Sequence, residues 1–443
     1  MEELAKIEEP GKPRVVIVGG GFGGLELAKS LRTADVQVVL VDKQNYHTFQ
    51  PLMYQVATAG LEAADIVSPF RKILEGQTNL SFRMAEVLCV DTTKQVVETS
   101  IGLIRYDYLV IATGATTNYF GDTQMEHHAI AIKSVEDAVE LRNTVLANFE
   151  KALQMGDTEQ LNSLLDFVIV GGGPTGVEVA GALSELRKHV FPKDYREIDF
   201  REMDIHLIQS GNTLLKGMSA EASQKALDYL RKFGVQVLLD RRVLSYDGYT
   251  VTLNTGEKLI TRTLIWAAGV AGAPLAGLRP ESLRKGNRYE VDTFNRVAGY
   301  ANIFAIGDIA AMAGEDYPEG HPMVAQPALQ QGRLLADNLT RLLAGEALRP
   351  FRYHDQGSMA TIGRNHAVAD VKLLGKELKT QGFLAWVMWV FVHLIALVGF
   401  RNRLAVFLNW TWSYFSQDRG SRFIMGKRRE PVPAEPATTK AMT

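Results

Sequence analysis

An apolar run closed by a glycine-rich turn, a second copy of it further on, and an uncharged aromatic stretch near the carboxyl terminus predict an α/β chain. Two Rossmann-type dinucleotide-binding domains are expected, the second inserted in the first, followed by a C-terminal amphipathic helical membrane anchor. The repeat is direct: Val15-Val16-Ile17-Val18-Gly19-Gly20-Gly21-Phe22-Gly23-Gly24 is echoed by Phe167-Val168-Ile169-Val170-Gly171-Gly172-Gly173-Pro174-Thr175-Gly176. Each run is short, continuous and β-branched, as a parallel strand buried on both faces requires, and helical apolar spacing follows the glycines.

The whole chain sets wider bounds. Its 443 residues exceed one ordinary hydrophobic core, and 46% hydrophobic with 22% charged residues is the composition of a folded protein. A net charge of -2 gives no basic surface of the kind that neutralises phosphates, so nucleic acid is not expected as a partner. The single cysteine, Cys89, excludes an intramolecular disulfide, a cysteine zinc cluster and a paired-thiol redox centre, and no metal site is expected. Residues 1–13 carry four glutamates and no apolar core of a secretory signal, which points to the cytosol for the bulk of the protein.

In the first copy the G-x-G-x-x-G glycines are Gly19, Gly21 and Gly24; in the second they are Gly171, Gly173 and Gly176. The first allows the tight turn, the second lets backbone approach a pyrophosphate, and the third lets helix pack on strand. The strand over residues 36–41 ends at Asp42, placed to bond the hydroxyls of an adenosine ribose, with Lys43 beside it. In the second copy the corresponding strand ends at Gln209. A carboxylate there would repel a 2′-phosphate and a neutral amide does not, so weak discrimination between NADH and NADPH is expected. Residues 108–114, ending in Thr113 and Gly114, and 263–269, ending in Ala268 and Gly269, are further buried strands closed by small residues that let the chain pass beneath a nucleotide. Residues 301–308 end in Gly307 and Asp308. Here the sequence resembles the two-dinucleotide-binding flavoprotein reductases, which implies that Asp308 contacts the ribitol and pyrophosphate region of FAD.

Within that superfamily the chain resembles the type II NADH dehydrogenases, single-chain NADH:quinone oxidoreductases that pump no protons, over residues 14–427. Two segments carry the resemblance: Asn45-Tyr46-His47-Thr48-Phe49-Gln50-Pro51-Leu52-Met53-Tyr54-Gln55-Val56-Ala57, and Ala325-Gln326-Pro327-Ala328-Leu329-Gln330-Gln331-Gly332. Pro327 suits a first helical turn, which puts Gln326 at the helix entrance and Gln330 one turn on, on the same side. The resemblance implies bound FAD, NADH or NADPH as hydride donor and a quinone as acceptor, with Gln326 and Gln330 at the quinone end of the flavin and Tyr54 among the cofactor-lining residues. It also implies a role near the nicotinamide and quinone for Glu178, expected on the first turn of the second nucleotide-binding helix. Glu26 holds the matching place in the first copy, where a carboxylate gains roughly 0.3–1 kcal/mol from the helix dipole without any chemical role. Hydride transfer needs no acid or base from the protein when a flavin is the acceptor.

From 383 to 400 the chain is uncharged if His393 is neutral, and its length approaches that of a hydrocarbon core. Arg401 and Arg403 follow, then Trp410, Trp412 and Tyr414, then Arg419, Arg422, Lys427, Arg428 and Arg429. Interfacial aromatics with adjacent cations fit a helix lying at a lipid bilayer surface, where the basic residues attract anionic headgroups. The expected place is peripheral or monotopic, at the cytoplasmic face of the cell membrane. Rival readings of this stretch are a single spanning helix and a homodimer interface. The expected domains are an FAD domain from 10–130 and 290–375, a nicotinamide domain at 131–289, an anchor at 376–429 and a disordered tail at 430–443. Helix-rich connections are expected at 134–165 and 185–204. Alternative functions are a soluble ferredoxin or rubredoxin reductase, and a flavin-bearing membrane redox sensor.

Overall fold

The protein is described by a computed structural model that covers residues 5–7, 11–373 and 376–425. The expected tail at 430–443, and Lys427, Arg428 and Arg429, lie outside the described residues. The chain forms two compact units: Met1–Thr48, Val67–Thr117 and Val270–Gln356 make the first, and Phe49–Ile66, Asn118–Gly269 and Gly357–Thr443 the second. Residues 49–66, 118–130 and 357–373 therefore group with the second unit and 270–289 with the first, whereas the sequence pattern attaches each to the other domain.

The first unit is built on a parallel five-stranded sheet in the order Ile303–Ala305, Tyr108–Ile111, Arg14–Val18, Gln37–Asp42, Leu80–Met84. Its central strands have continuous apolar runs because both faces are covered. Val15, Ile17, Val38, Leu40 and Val110 face the helices Phe22–Ser30 and Ala325–Leu343, through side chains such as Leu27 and Leu335. Val16, Val18, Val39, Val41 and Leu109 face the other way, onto Val90, Val97 and Ile104 of a small antiparallel sheet.

The second unit repeats the plan, with parallel strands in the order Ile130–Ala131, Thr263–Trp266, Phe167–Val170, Ile205–Ile208, Gln236–Leu238. The helices Val135–Ala152 and Thr158–Leu165 fill the first expected connection. In the second, helix continues only to Asp194, and 195–204 is made of turns. A three-stranded antiparallel meander, Gly357–Gly363, His366–Leu373 and Lys376–Gly382, leads into the last two helices.

The apolar stretch at 383–400 is not one helix. It breaks into Phe383–Ala396 and Phe400–Ser416, with Gly399 at φ 90° between them and the Arg403 guanidinium donating to the Leu397 carbonyl. Fourteen residues at 1.5 Å each give about 21 Å, short of a hydrocarbon core of about 30 Å. Among the described residues no helix is long and apolar enough to cross a membrane.

One close approach ties the meander to the second nucleotide fold. A Cβ on Gly181 of the helix Pro174–Glu185 would lie 1.8 Å from the Ile362 carbonyl oxygen, so only glycine lets that helix meet the strand Gly357–Gly363. Gly181→Ala is expected to force the two apart at a cost of about 1–3 kcal/mol, read as a lowered apparent unfolding temperature. An unchanged temperature would show that the meander is not held this way.

Candidate functional site

Both glycine turns have one steric design. Gly19 (φ 102°) and Gly171 (φ 114°) adopt backbone that L side chains rarely enter, and a Cβ on either would lie 2.3 Å or 2.4 Å from the carbonyl oxygen of Ala112 or Ala267. A Cβ on Gly24 would lie 1.9 Å from the Gly19 oxygen, and one on Gly176 the same distance from the Gly171 oxygen. By contrast, Gly21 and Gly173 precede the helices as N-caps and face open space, since nothing lies within 4 Å of an added Cβ. The first and third glycines are thus demanded by the protein itself. The second leaves room for a group outside it, and a helix amino terminus beside that room suits a phosphate.

Asp42 and Gln209 play matching parts. The Gly20 N–H donates to Asp42 Oδ2 at 2.6 Å and the Gln44 N–H to Oδ1 at 2.7 Å; the Gly172 N–H donates to Gln209 Oε1 at 2.9 Å. Burial raises the Asp42 carboxyl above its usual range, and the two N–H bonds partly offset that. Each carboxylate oxygen keeps lone-pair capacity for a ribose hydroxyl. Lys43 is exposed beside Asp42.

The other first-unit residues gather round the same turn. Gly114 (φ 70°) faces open space, and the Thr113 hydroxyl donates to the Ala273 carbonyl at 2.7 Å. The entrance of the helix Ala325–Leu343 packs on both Gly23 and Gly307: Cβ atoms added there would lie 3.2 Å from the Ala328 oxygen and 3.3 Å from its Cβ. Asp308 sits on the short turn Gly307–Ile309, and its charge acts on the buried Arg288. Gln331, which sequence reasoning passed over, is buried and accepts the Gly307 N–H at 2.7 Å. Its place in the Gln330-Gln331 pair was the available signal. Open space at Gly21 and Gly114, Asp42 at one end and Asp308 with a helix amino terminus at the other make a cradle that fits an adenine dinucleotide such as FAD.

Gln326 and Gln330 do lie one turn apart at the helix entrance, but their amides reach a chain segment. The Gln330 Nε2 donates to the His354 carbonyl at 2.9 Å and its Oε1 accepts the His354 N–H at 3.0 Å. Gln326 Oε1 accepts the Gln356 N–H at 3.1 Å and lies 3.4 Å from the Tyr353 hydroxyl.

In the second unit, Ala268 and Gly269 close the strand Thr263–Trp266 beneath the Gly171 turn, where a Cβ on Gly171 would come 2.8 Å from the Ala268 Cα; Gly269 accepts the Asn118 N–H at 3.1 Å. Glu178 is the fifth residue of the helix Pro174–Glu185, so it lies past the first turn on which it was expected, and the dipole explanation weakens accordingly. The matching Glu26 is paired with Arg333 Nε at 2.6 Å. Among the described residues Glu178 has no such cation. Its carboxyl faces a cavity of about 100 Å³ that is also lined by Tyr54, Gln55, Trp389 and Trp410. The residue is half-buried, and desolvation of its carboxyl pushes the pKa up to about 8. The Thr361 N–H is 3.5 Å from Oε1, a long contact, and the buried Trp389 indole N–H faces the carboxyl without completing a hydrogen bond.

Tyr54 belongs to this cavity. Its hydroxyl accepts from Gln55 Nε2 at 2.8 Å, and Gln55 Oε1 accepts the Trp410 indole N–H at 2.7 Å. Sequence reading gave Trp389 to a membrane-facing stretch, yet it is 2% exposed and turned inward. Arg419 and Arg422, expected to meet lipid headgroups, are paired inside the unit instead. Arg419 Nη2 lies 2.8 Å from Glu185 and Arg422 Nε 2.6 Å from Asp194.

Residues 13–332 match the pyridine nucleotide-disulphide oxidoreductase family, and 355–417 the NDH2 C-terminal domain. The type II NADH:quinone oxidoreductase Ndh of Mycobacterium tuberculosis is 36% identical over 436 residues, covering 94% of this chain and 91% of that protein. NdhA of the same organism is 37% identical over 431 residues, covering 94% and 90%. The fold of NDH2 from Plasmodium falciparum in complex with NADH superposes with a TM-score of 0.83 at 23% identity, over 94% of this chain and 100% of that one. The chain belongs to the type II NADH:quinone oxidoreductase family.

Proposed function

We propose that this chain oxidises NADH and reduces a quinone through bound FAD, without pumping protons, while seated on a membrane surface. The observation that carries the quinone half is Glu178: a carboxyl on the nucleotide-binding helix, with no cation partner among the described residues, beside the Trp389 indole N–H and a cavity.

The Gly19–Gly24 turn, Asp42, Gly114 and Asp308 would hold FAD, which would supply the hydride acceptor and the electrons for the quinone. The second turn, with Gly173 open to a pyrophosphate and Gln209 at the ribose end, binds and orients the nicotinamide nucleotide. Reduction of a quinone to a quinol takes two protons with its two electrons, and Glu178 is suited to hold one. With a pKa of about 8 it is mostly protonated at pH 7. Gln326 and Gln330 are positioning residues that hold the segment 353–356 at the quinone end. Glu178→Gln is expected to leave anaerobic bleaching of the flavin by NADH intact and to slow its recolouring by a short-chain quinone at least tenfold in stopped-flow absorbance, the scale of a positioned acid. Equal rates in both half-reactions would remove Glu178 from the mechanism.

The same carboxyl shapes stability. Because its folded pKa is raised from the usual 4.5 to about 8, the folded state binds a proton that the unfolded chain has lost. Its contribution is favourable below about pH 4.5 and declines as pH rises to about 8, where the buried group ionises. Glu178→Gln is therefore expected to flatten the fall in stability across that window. A denaturant midpoint measured from pH 5 to pH 8.5 checks this, and parallel profiles for the two proteins would contradict it.

Seating on the bilayer rests on the last two helices. Phe391 (63%), Phe400 (80%), Trp412 (68%) and Phe415 (81%) are exposed, while Ala385, Trp389 and Val406 turn inward. Burial pulls the His393 pKa down to about 4, so the first of these helices carries no charge at neutral pH. An apolar face on helices too short to cross fits a peripheral or monotopic seat at the cytoplasmic face, the side that holds reduced nicotinamide nucleotide. Phe391→Asp with Phe415→Asp is expected to abolish co-flotation with anionic liposomes. Undiminished flotation would contradict this seat, and conversion of a dimer to a monomer by the same changes would assign the face to a second copy of the chain.

A further inference from the structure

We propose that Arg241 is a specificity residue that receives the 2′-phosphate of NADPH and makes the second nucleotide fold accept the phosphorylated nucleotide. The assignment depends on that fold holding the nicotinamide nucleotide, as set out above. It comes from a residue-by-residue comparison of the two folds at the end where an adenosine ribose binds.

In the first fold Asp42 takes the Gly20 N–H on its side chain, and its own carbonyl accepts the N–H of Ala85, which follows the strand Leu80–Met84. In the second, Gln209 takes the Gly172 N–H on its side chain, and its carbonyl accepts the N–H of Arg241, which follows the strand Gln236–Leu238. The backbone bonds coincide, at 2.9 Å and 3.1 Å. The second chain reaches its bond through Asp240 in left-handed backbone, φ 55°. At matched positions a carboxylate has become an amide, and a buried alanine has become a half-buried arginine.

The neighbours point the same way. Lys43 and Glu86 flank the first position; Asp240 and Arg242 flank the second. The local balance thus passes from acidic to basic. Asp240 is exposed and opposes an anion there, but it is outnumbered. Among the described residues the Arg241 guanidinium hydrogen-bonds only its neighbour's backbone, Nη1 to the Asp240 carbonyl at 3.3 Å, and Arg242 places its N–H on Asn254. A planar guanidinium beside a ribose site, with the repelling carboxylate replaced, provides the charge and the donor geometry that a phosphomonoester requires.

The test uses the intact flavin-loaded enzyme. Isothermal titration with adenosine 2′,5′-bisphosphate and with adenosine 5′-monophosphate reports the 2′-phosphate apart from turnover, and kcat/KM for NADPH and NADH with a short-chain quinone reports it in catalysis. The wild type is expected to bind the bisphosphate more tightly, with a salt dependence that the monophosphate lacks. Arg241→Ala should lower the NADPH:NADH ratio of kcat/KM about tenfold and abolish the preference for the bisphosphate. Arg241→Lys should restore part of both, and Arg242→Ala should change them less. An unchanged ratio in Arg241→Ala, or equal affinity of the wild type for the two nucleotides, overturns the role of Arg241. Failure of the wild type to bind either nucleotide or to oxidise NADH defeats the underlying reading of the second turn as well.

Discussion

The molecule depends on places where backbone must lie closer to backbone than a methyl group permits. A helix that begins immediately after a buried strand can aim its free N–H groups at one point only if strand, turn and helix are nearly in contact. That contact is the 1.9 Å which a Cβ on Gly24 or Gly176 would leave to the oxygen of Gly19 or Gly171. The same constraint acts at Gly181, where the second nucleotide-binding helix meets the meander. Through that approach the strand bearing Thr361 reaches Glu178. The glycine turns and the setting of the Glu178 carboxyl thus rest on one steric condition.

Duplication of the cradle makes its departures informative. Glu26 and Glu178 occupy equivalent helical positions, yet Arg333 pairs with the first, while the second lines a cavity and has no cation partner among the described residues. Asp42 and Gln209 make the same bond to a glycine N–H, but only the first brings a negative charge. Ala85 and Arg241 make the same backbone bond, but only the second brings a cation. A shared backbone accommodates either member of each pair, so the fold by itself does not dictate the choice.

The last two helices show how an apolar stretch divides its duties. Outward side chains such as Phe391 and Phe415 are exposed among the described residues, while Trp389 turns inward to stack on His393 at 4.1 Å and to line the cavity of Glu178. The segment beyond is tied back by Arg419 to Glu185, Arg422 to Asp194, and Asn143 to both backbone groups of Met425. Arg419 and Arg422, which the sequence pattern assigns to lipid headgroups, instead fasten the segment within its own unit.

Local pattern alone determined a good deal. Strand runs such as Val15-Val16-Ile17-Val18, the roles of the three glycines, the strand-end residues Asp42 and Gln209, and a helix opening near Pro327 are all set by steric and hydrogen-bonding rules that act within a few residues. Tertiary structure decided the rest, because those outcomes depend on groups far away in sequence. It separated the fates of Glu26 and Glu178, directed the amides of Gln326 and Gln330 to His354 and Gln356, buried Gln331 against Gly307, and turned Arg419 inward. It also broke the apolar stretch at Gly399, a glycine whose φ of 90° serves a turn between packed helices. Hydropathy averages over all faces of a helix, and the partner that each face meets is chosen only by packing.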